Sequence, residues 1–287
     1  MSVNPYTDFV SATARLVAEA RQLPLGGFPP APRPQLSPDA PRVLFFAPHP
    51  DDETISGGLA LRLLREAKFN VINVAVTQGS KKERQAERLV ELQNACAYLG
   101  FGVQTTAPNG LERVNAKTRQ SDPTYWAQMV KVIADILIKY QPRIILCPHE
   151  RDWNGTHIGV HYLVMDALHT MLPGFECYVV ETEFWGAMDD PNLAVEFSAN
   201  DVADLIAATS FHVGEVKRNP YHLSLPAWLM DNVRRGAEIV GGQGGAAPDF
   251  QFAALYRLRR WIHGQLTVEL KGGKFLSQTE NPASLFA

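Results

Sequence analysis

The feature that most constrains this chain is a regular alternation of short apolar runs with longer segments of helical period. Between residues 42 and 185, five runs read as buried strands: 42–48 (RVLFFAP), 70–79 (NVINVAVTQG), 101–106 (FGVQTT), 143–149 (RIILCPH) and 176–185 (ECYVVETEFW). The segments between them, 54–68, 80–100, 123–141 and 155–172, carry apolar residues at helical spacing. Gly100 and Pro142 stand where two of these helices would stop. This pattern predicts an α/β protein: a doubly wound, mostly parallel, Rossmann-like sheet with helices on both faces. The common doubly wound order puts strand 1 beside strand 4, with strands 2 and 3 on one side and strand 5 on the other.

The flanks are less regular. Residues 6–23 read as an amphipathic helix and 24–41 as a proline-dense extended connector, so 1–41 stands apart from the core. After residue 186 we expect a helix near 200–211, a turn-rich stretch, a helix near 226–240 and a Gly-rich loop at 241–245. A final helix or strand segment falls within 250–270, and 272–287 reads as an irregular tail. There is no internal repeat and no second alternating series. Residues 42–271 therefore read as one α/β domain with C-terminal additions.

Composition narrows the function by exclusion. With 27 Lys+Arg against 30 Asp+Glu, the net charge of −3 argues weakly against a nucleic-acid partner and gives no attraction to an anionic membrane. No apolar run approaches the ~20 residues that span a bilayer. The N-terminus lacks the basic-then-apolar pattern of a secretory signal. Three scattered cysteines, Cys96, Cys147 and Cys177, form no CxxC pair and read as buried free thiols in a reducing cytoplasm. Any metal must therefore be held by histidine and carboxylate.

Those residue types gather in two places. Pro48-His49-Pro50-Asp51-Asp52-Glu53 follows strand 1 directly, and His149-Glu150-Arg151-Asp152-Trp153-Asn154-Gly155-Thr156-His157 follows strand 4 and runs into a helix. If strands 1 and 4 are neighbours, both stretches meet at the carboxyl edge of the sheet, where doubly wound folds bind ligands. The first stretch could be only an acidic turn before a helix, since carboxylates suit a helix N-terminus. Three consecutive acids repel one another, however, and a bound cation would relieve that repulsion. No GxGxxG follows strand 1 and no GxxxxGK[ST] occurs, which argues against a nucleotide-binding oxidoreductase. His157 and His161 lie at i and i+4 of a helix, hence on one face. His161 could equally be a packed helix residue. A His/Asp/His set with an open fourth position suits hydrolytic zinc.

The PHPDDE stretch at 48–53 resembles the AHPDDE signature of the PIG-L/LmbE-like zinc de-N-acetylases. Thr77 and Gly79 at the end of strand 2, the Arg88-Leu89-Val90-Glu91 step with Leu99-Gly100, and Asp152 to His157 set against the family's D-x-H-P-D-H support the resemblance. It covers roughly residues 42–185, and the second motif is degenerate. The resemblance implies His49, Asp52 and His157 as zinc ligands, with Fe2+ as an alternative ion in such a site. It implies Asp51 as the general base, Glu53 as a support of the helix start, and Arg88 as a substrate contact or a brace for the PHPDDE loop. Arg88 could also be a surface ion pair with Glu91. Family members often form homo-oligomers. The implied reaction removes an N-acetyl or other N-acyl group from an amino sugar or related small conjugate.

The chain departs from the family at two positions. Asn154 stands where the second motif carries its first histidine, and Thr156 where it carries an aspartate. An asparagine amide can donate a hydrogen bond to an oxyanion but cannot deliver a proton. His161, His149, or Asp51 acting as both base and acid could supply it. Trp153, with Phe184 and Trp185, could line a sugar pocket. Two other readings remain at this level: cleavage of a different small amide or ester, and a non-catalytic binding protein that keeps the metal but lacks the acid at Asn154.

Overall fold

A computed structural model describes residues 4–287. The N-terminal helix α1 (Thr7–Ala20) buries none of its residues. The core then alternates as the sequence predicts: β1 (Arg42–Ala47), α2 (Asp52–Ile55), α3 (Gly58–Arg65), β2 (Asn70–Ala75), α4 (Gln85–Leu99), β3 (Gly102–Thr105), α5 (Ala116–Ser121), α6 (Pro123–Tyr140), β4 (Ile144–Pro148), α7 (Gly155–His169) and β5 (Cys177–Thr182). Beyond these lie β6 (Leu193–Phe197), α8 (Ala199–Thr209), α9 (Val213–Arg218), α10 (Leu225–Ile239), β7 (Phe252–Ile262), β8 (Gln265–Val268) and β9 (Lys274–Leu276). The sheet order is β3-β2-β1-β4-β5-β7-β6-β9, with β8 paired to β7. The first five strands are parallel and in the expected order. β7 then runs antiparallel to both β5 and β6, and β9 joins β6 in parallel.

Side-chain alternation explains why both faces are covered. In β1, Val43 and Phe45 join one apolar cluster while Leu44 and Phe46 join the other. In β4, Ile144 and Leu146 go one way, Ile145 and Cys147 the other. The first cluster packs under α3, α4 and α8, the second under α6 and α7. All three cysteines are buried and unbridged.

Several expectations need correction. The helix expected at 54–68 begins at Asp52 and breaks at Ser56-Gly57 into two pieces. A Cβ at Gly58 would run into the Phe197 ring, so this glycine lets α3 approach β6. The strand expected at 70–79 leaves the sheet after Ala75, because Thr77 turns to bond the β1 loop. Of the two alternatives open for 250–270, the strand is the one that forms, as a hairpin pair rather than a single segment. The stretch after Gly272 is not irregular throughout: it holds β9 and a short 3-10 turn that buries Leu285 and Phe286. Short elements such as these lack room for a periodic signal.

Two consequences position the site. β1 and β4 are hydrogen-bonded neighbours, so the loops at their carboxyl ends meet. The segment between β6 and β7 folds back over those loops and supplies a wall that the sequence leaves unassigned.

Candidate metal centre and active site

The loop after β1 is built by its own hydrogen bonds. Asp51 adopts a left-handed backbone at φ 116°, which is strained for a residue with a Cβ. That turn lets the Asp51 N–H reach Glu53 Oε2 at 3.0 Å and the His49 N–H reach Asp52 Oδ2 at 2.8 Å. Thr77 Oγ1 donates to Pro48 O at 2.7 Å, and an Arg88 Nη2 donates to Pro50 O at 2.9 Å. Glu53 is fully buried and pairs with His212 at 2.8 Å. Burial opposes charge on His212, but the Glu53 carboxylate outweighs it and the imidazole pKa rises. Arg88 is therefore a brace for this loop, 3.9 Å from Asp51 Oδ2 and not paired with Glu91.

The loop after β4 is arranged for a helix start. Asp152 Oδ1 accepts from the Asn154 N–H at 2.7 Å, and Asn154 Oδ1 accepts from the Thr156 N–H at 2.8 Å. Asn154 thus caps α7 with its oxygen, leaving its Nδ2 donor uncommitted. His157 follows in the first turn, with Nδ1 3.6 Å from Asp152 Oδ2. A carboxylate on the far ring nitrogen is what orients a metal-ligating imidazole.

The two loops bring His49, Asp52 and His157 together. His49 Nδ1 lies 3.3 Å from His157 Nε2, and Asp52 Oδ2 lies 3.5 Å and 3.3 Å from those nitrogens. A tetrahedral zinc with bonds of about 2.0–2.1 Å has ligand–ligand edges of about 3.3 Å. The triangle therefore has the size for such an ion, and borderline nitrogen and oxygen donors suit it. Electrostatics agree. Burial works against charge on His157, yet Asp52 and Asp152 push its pKa up to about 10. Asp52, despite burial, is held well below the usual carboxylate range by His157 and His49. The pocket favours positive charge, which a proton or a metal ion can provide.

A cavity of about 680 Å³ opens over this triangle, lined by His49, Asp51, Asp52, Asn154, Phe184 and Tyr221 among others. Burial first, and the adjacent Asp52 charge second, push the Asp51 pKa up to about 7. The Tyr221 hydroxyl donates a short hydrogen bond to Asp51 Oδ2.

Two of the residues singled out in the sequence lie elsewhere. His161 does not line the cavity. Its Nδ1 bonds Pro148 O at 3.0 Å and lies 3.5 Å from Glu181 Oε1, and burial lowers its pKa. Helical i,i+4 spacing put it on the same side as His157, but that side continues under β4. Trp153 is 78% exposed and stacks near Trp185 at 6.2 Å, outside the cavity that Trp185 itself lines. His149 is buried and bonded to Gly186 O at 2.9 Å. Glu150, His161 and Glu181 also cluster closely enough to hold an ion. There, the guanidiniums of Arg257 and Arg259 already take the carboxylate oxygens, so the charge is balanced without one.

Sequence reasoning missed Tyr221, Glu215 and Arg218, which enter from the segment between β6 and β7. Nothing in their neighbourhood marks them, since they belong to short turns and a six-residue helix. Arg84 and Gln78 were within reach of inspection, because they flank the recognised Thr77, Gly79 and Arg88.

The structure thus defines an α/β protein of the Rossmann-like kind with a candidate His–Asp–His metal centre at the carboxyl edge of its sheet. The PIG-L family profile, described as GlcNAc-PI de-N-acetylase, matches residues 44–168, the stretch that contains both loops. Through that stretch, which is less than half of the chain, the protein is similar to the PIG-L/LmbE-like de-N-acetylases. No curated protein matches it in sequence. Among solved structures, the N,N'-diacetylchitobiose deacetylase from Pyrococcus horikoshii is 17% identical, with 92% of this chain and 95% of that one covered at a TM-score of 0.55. The 4-carboxy-2-hydroxymuconate hydratase from Pseudomonas putida is 16% identical, covering 76% and 95%, also at 0.55. A zinc-inhibited form of teicoplanin deacetylase is 17% identical, covering 77% and 98%, at 0.51. At such identities the likeness is one of fold, and the fold hosts both deacetylases and a hydratase. Among the described residues no helix is long and apolar enough to cross a membrane.

Proposed function

We propose that the protein is a zinc-dependent amidohydrolase that removes an N-acetyl or other N-acyl group from an amino sugar or related small conjugate. The observation that carries this reading is the His49–Asp52–His157 triangle with the buried Asp51 carboxyl beside it on the cavity floor. The match of residues 44–168 to the GlcNAc-PI de-N-acetylase profile supports the substrate class.

Zinc held by His49, Asp52 and His157 would supply Lewis acidity for a water and for the acyl oxygen, and Fe2+ can take the same ligands. Asp51 accepts a proton from the attacking water. As the acyl C–N bond breaks, Asp51 returns that proton to the leaving nitrogen, giving a carboxylic acid and a free amine. Burial raises the Asp51 pKa, which suits a carboxyl that takes up one proton and gives it back. Tyr221 fixes the Asp51 carboxyl by hydrogen bond. Asn154 Nδ2 donates to the developing oxyanion, a role that needs no proton transfer.

The test combines metal analysis with detection of free amine from a panel of N-acetyl amino sugars. Asp51→Asn is expected to keep its metal and lose at least about a hundredfold in turnover. His49→Ala is expected to lose the metal. Stoichiometric zinc with no amine released from any substrate would instead favour a second reading, a binding protein with altered or absent catalysis. Asn154, which offers no acid, is the observation behind that second reading.

A further inference from the structure

The cavity carries more positive charge than the proposed reaction uses. Lys81, Lys82, Arg84, Arg88, Arg113 and Arg218 line it, against Asp51, Asp52, Glu112 and Glu215. Asp51 and Asp52 have their roles at the metal centre, and Glu112 faces Lys82 at 3.3 Å. Glu215 is shared by three guanidiniums: Arg84 at 2.7 Å, Arg88 at 4.0 Å and Arg218 in a close pair. Glu87 also reaches Arg84 Nε at 3.7 Å, so with Asp51 engaged at the metal centre two carboxylates face three guanidiniums, and one positive charge is left over.

The donors here are also unspent. Arg84 Nη2 and Arg88 Nε are buried without hydrogen-bond partners, and so are both amide atoms of Gln78, which is 1% exposed. Buried donors of a charged group are costly to leave unpaired, and arginines acting only as a clamp between α4 and α9 would have been satisfied by the clamp. The two guanidiniums are seated on glycines. A Cβ at Gly79 would collide with Arg88 Nη1, and one at Gly214 with Arg84 Nη2. The chain therefore holds an arginine pair in place beside Asp51, which Arg88 Nη2 approaches to 3.9 Å.

We propose that Arg84, Arg88 and Gln78 form an oxyanion-recognition subsite, so that the substrate is an N-acyl compound bearing a carboxylate or phosphate group. Guanidiniums match either group with paired N–H donors. The Gln78 amide adds a neutral donor, and the N-acyl end of the same molecule reaches the metal centre. The N-acyl half of this statement rests on the proposed reaction; the anion subsite does not.

Isothermal titration of the metal-loaded full chain with inorganic phosphate and with malonate reads the subsite, and the two probes distinguish phosphate from carboxylate. Arg84→Gln is expected to weaken binding of the preferred anion about tenfold or more, while Arg84→Lys, which keeps the charge beside Glu215, falls between. An anion bound only to the metal would bind wild type and Arg84→Gln alike, and that result overturns the proposal. Absence of binding to wild type below about 10 mM overturns it as well. Gln78→Ala changes no charge and is expected to weaken binding about threefold, so the proposal remains testable if the arginine variant does not fold. Amine release from N-acetylglucosamine, its 6-phosphate and N-acetylmuramic acid then separates the two ideas. Release without anion binding sinks the subsite alone, and anion binding without release sinks the reaction alone.

Discussion

Tyr221 shows how much of the proposed chemistry hangs on single atoms. Its hydroxyl stabilises the ionised form of Asp51, opposing burial and the Asp52 charge. Tyr221→Phe should therefore raise the Asp51 pKa. If Asp51 is the base, the acid limb of the kcat/KM profile moves to higher pH by up to about one unit, with bound metal unchanged. Asn154→His tests the other departure: a tenfold or larger rise in turnover would mean the native site works without its acid. The meeting of His49, Asp52 and His157 in the candidate metal centre was legible because they sit in two compact motifs directly after strands. Tyr221 was not, because 170 residues separate it from Asp51 and no local pattern foretells the contact. His161 was misread for a related reason. Helical spacing says which residues share a face but not what that face meets.

At the scale of elements, α7 both presents His157 and holds the cavity rim. Its Gly159 lies against the backbone of Val114 and Asn115, where a Cβ would sit 2.5 Å from Val114 O and 2.7 Å from Asn115 Cα. Backbone cannot swing aside as a side chain can. Gly159→Ala should cost about 1–3 kcal/mol in denaturant unfolding and shift the Val114–Asn115 rim. β4, β5 and β7 are tied by charge instead: Arg257 joins Glu150, Glu181 and Asp190. Burial opposes ionisation of Glu150, but the hydrogen bond from Arg257 prevails and holds its pKa at about 2. Its contribution is complete above the ordinary value of 4.5 and is lost as pH falls toward about 2. Glu150→Gln should flatten that part of the stability–pH curve, and a curve unchanged by it would deny the pair any such role. The long helices and the five parallel strands were legible from period and punctuation. α5 and β9 were not, since six helical residues make less than two turns and three strand residues less than two periods, and β6 was not because it lies past the point where strand and helix stop alternating.

Across the whole molecule, the cavity is assembled from distant parts of the chain. The candidate metal centre comes from the carboxyl ends of β1 and β4, within the stretch that matches the family profile, while Glu215, Arg218 and Tyr221 come from beyond it. The topology rule for doubly wound sheets predicted the first meeting, since it depends only on strand order. The second depends on how an irregular segment packs, which alternation does not encode. The left-handed backbone at Asp51 has a final consequence, in the trade between endurance and work. The chain bends its backbone the wrong way and buries a carboxyl at the residue proposed as its base, so selection for stability alone would discard that residue. Asp51→Gly relieves the torsional strain, roughly 1 kcal/mol, and removes the buried acid. It should melt about 2 °C higher than the parent while releasing no amine at all.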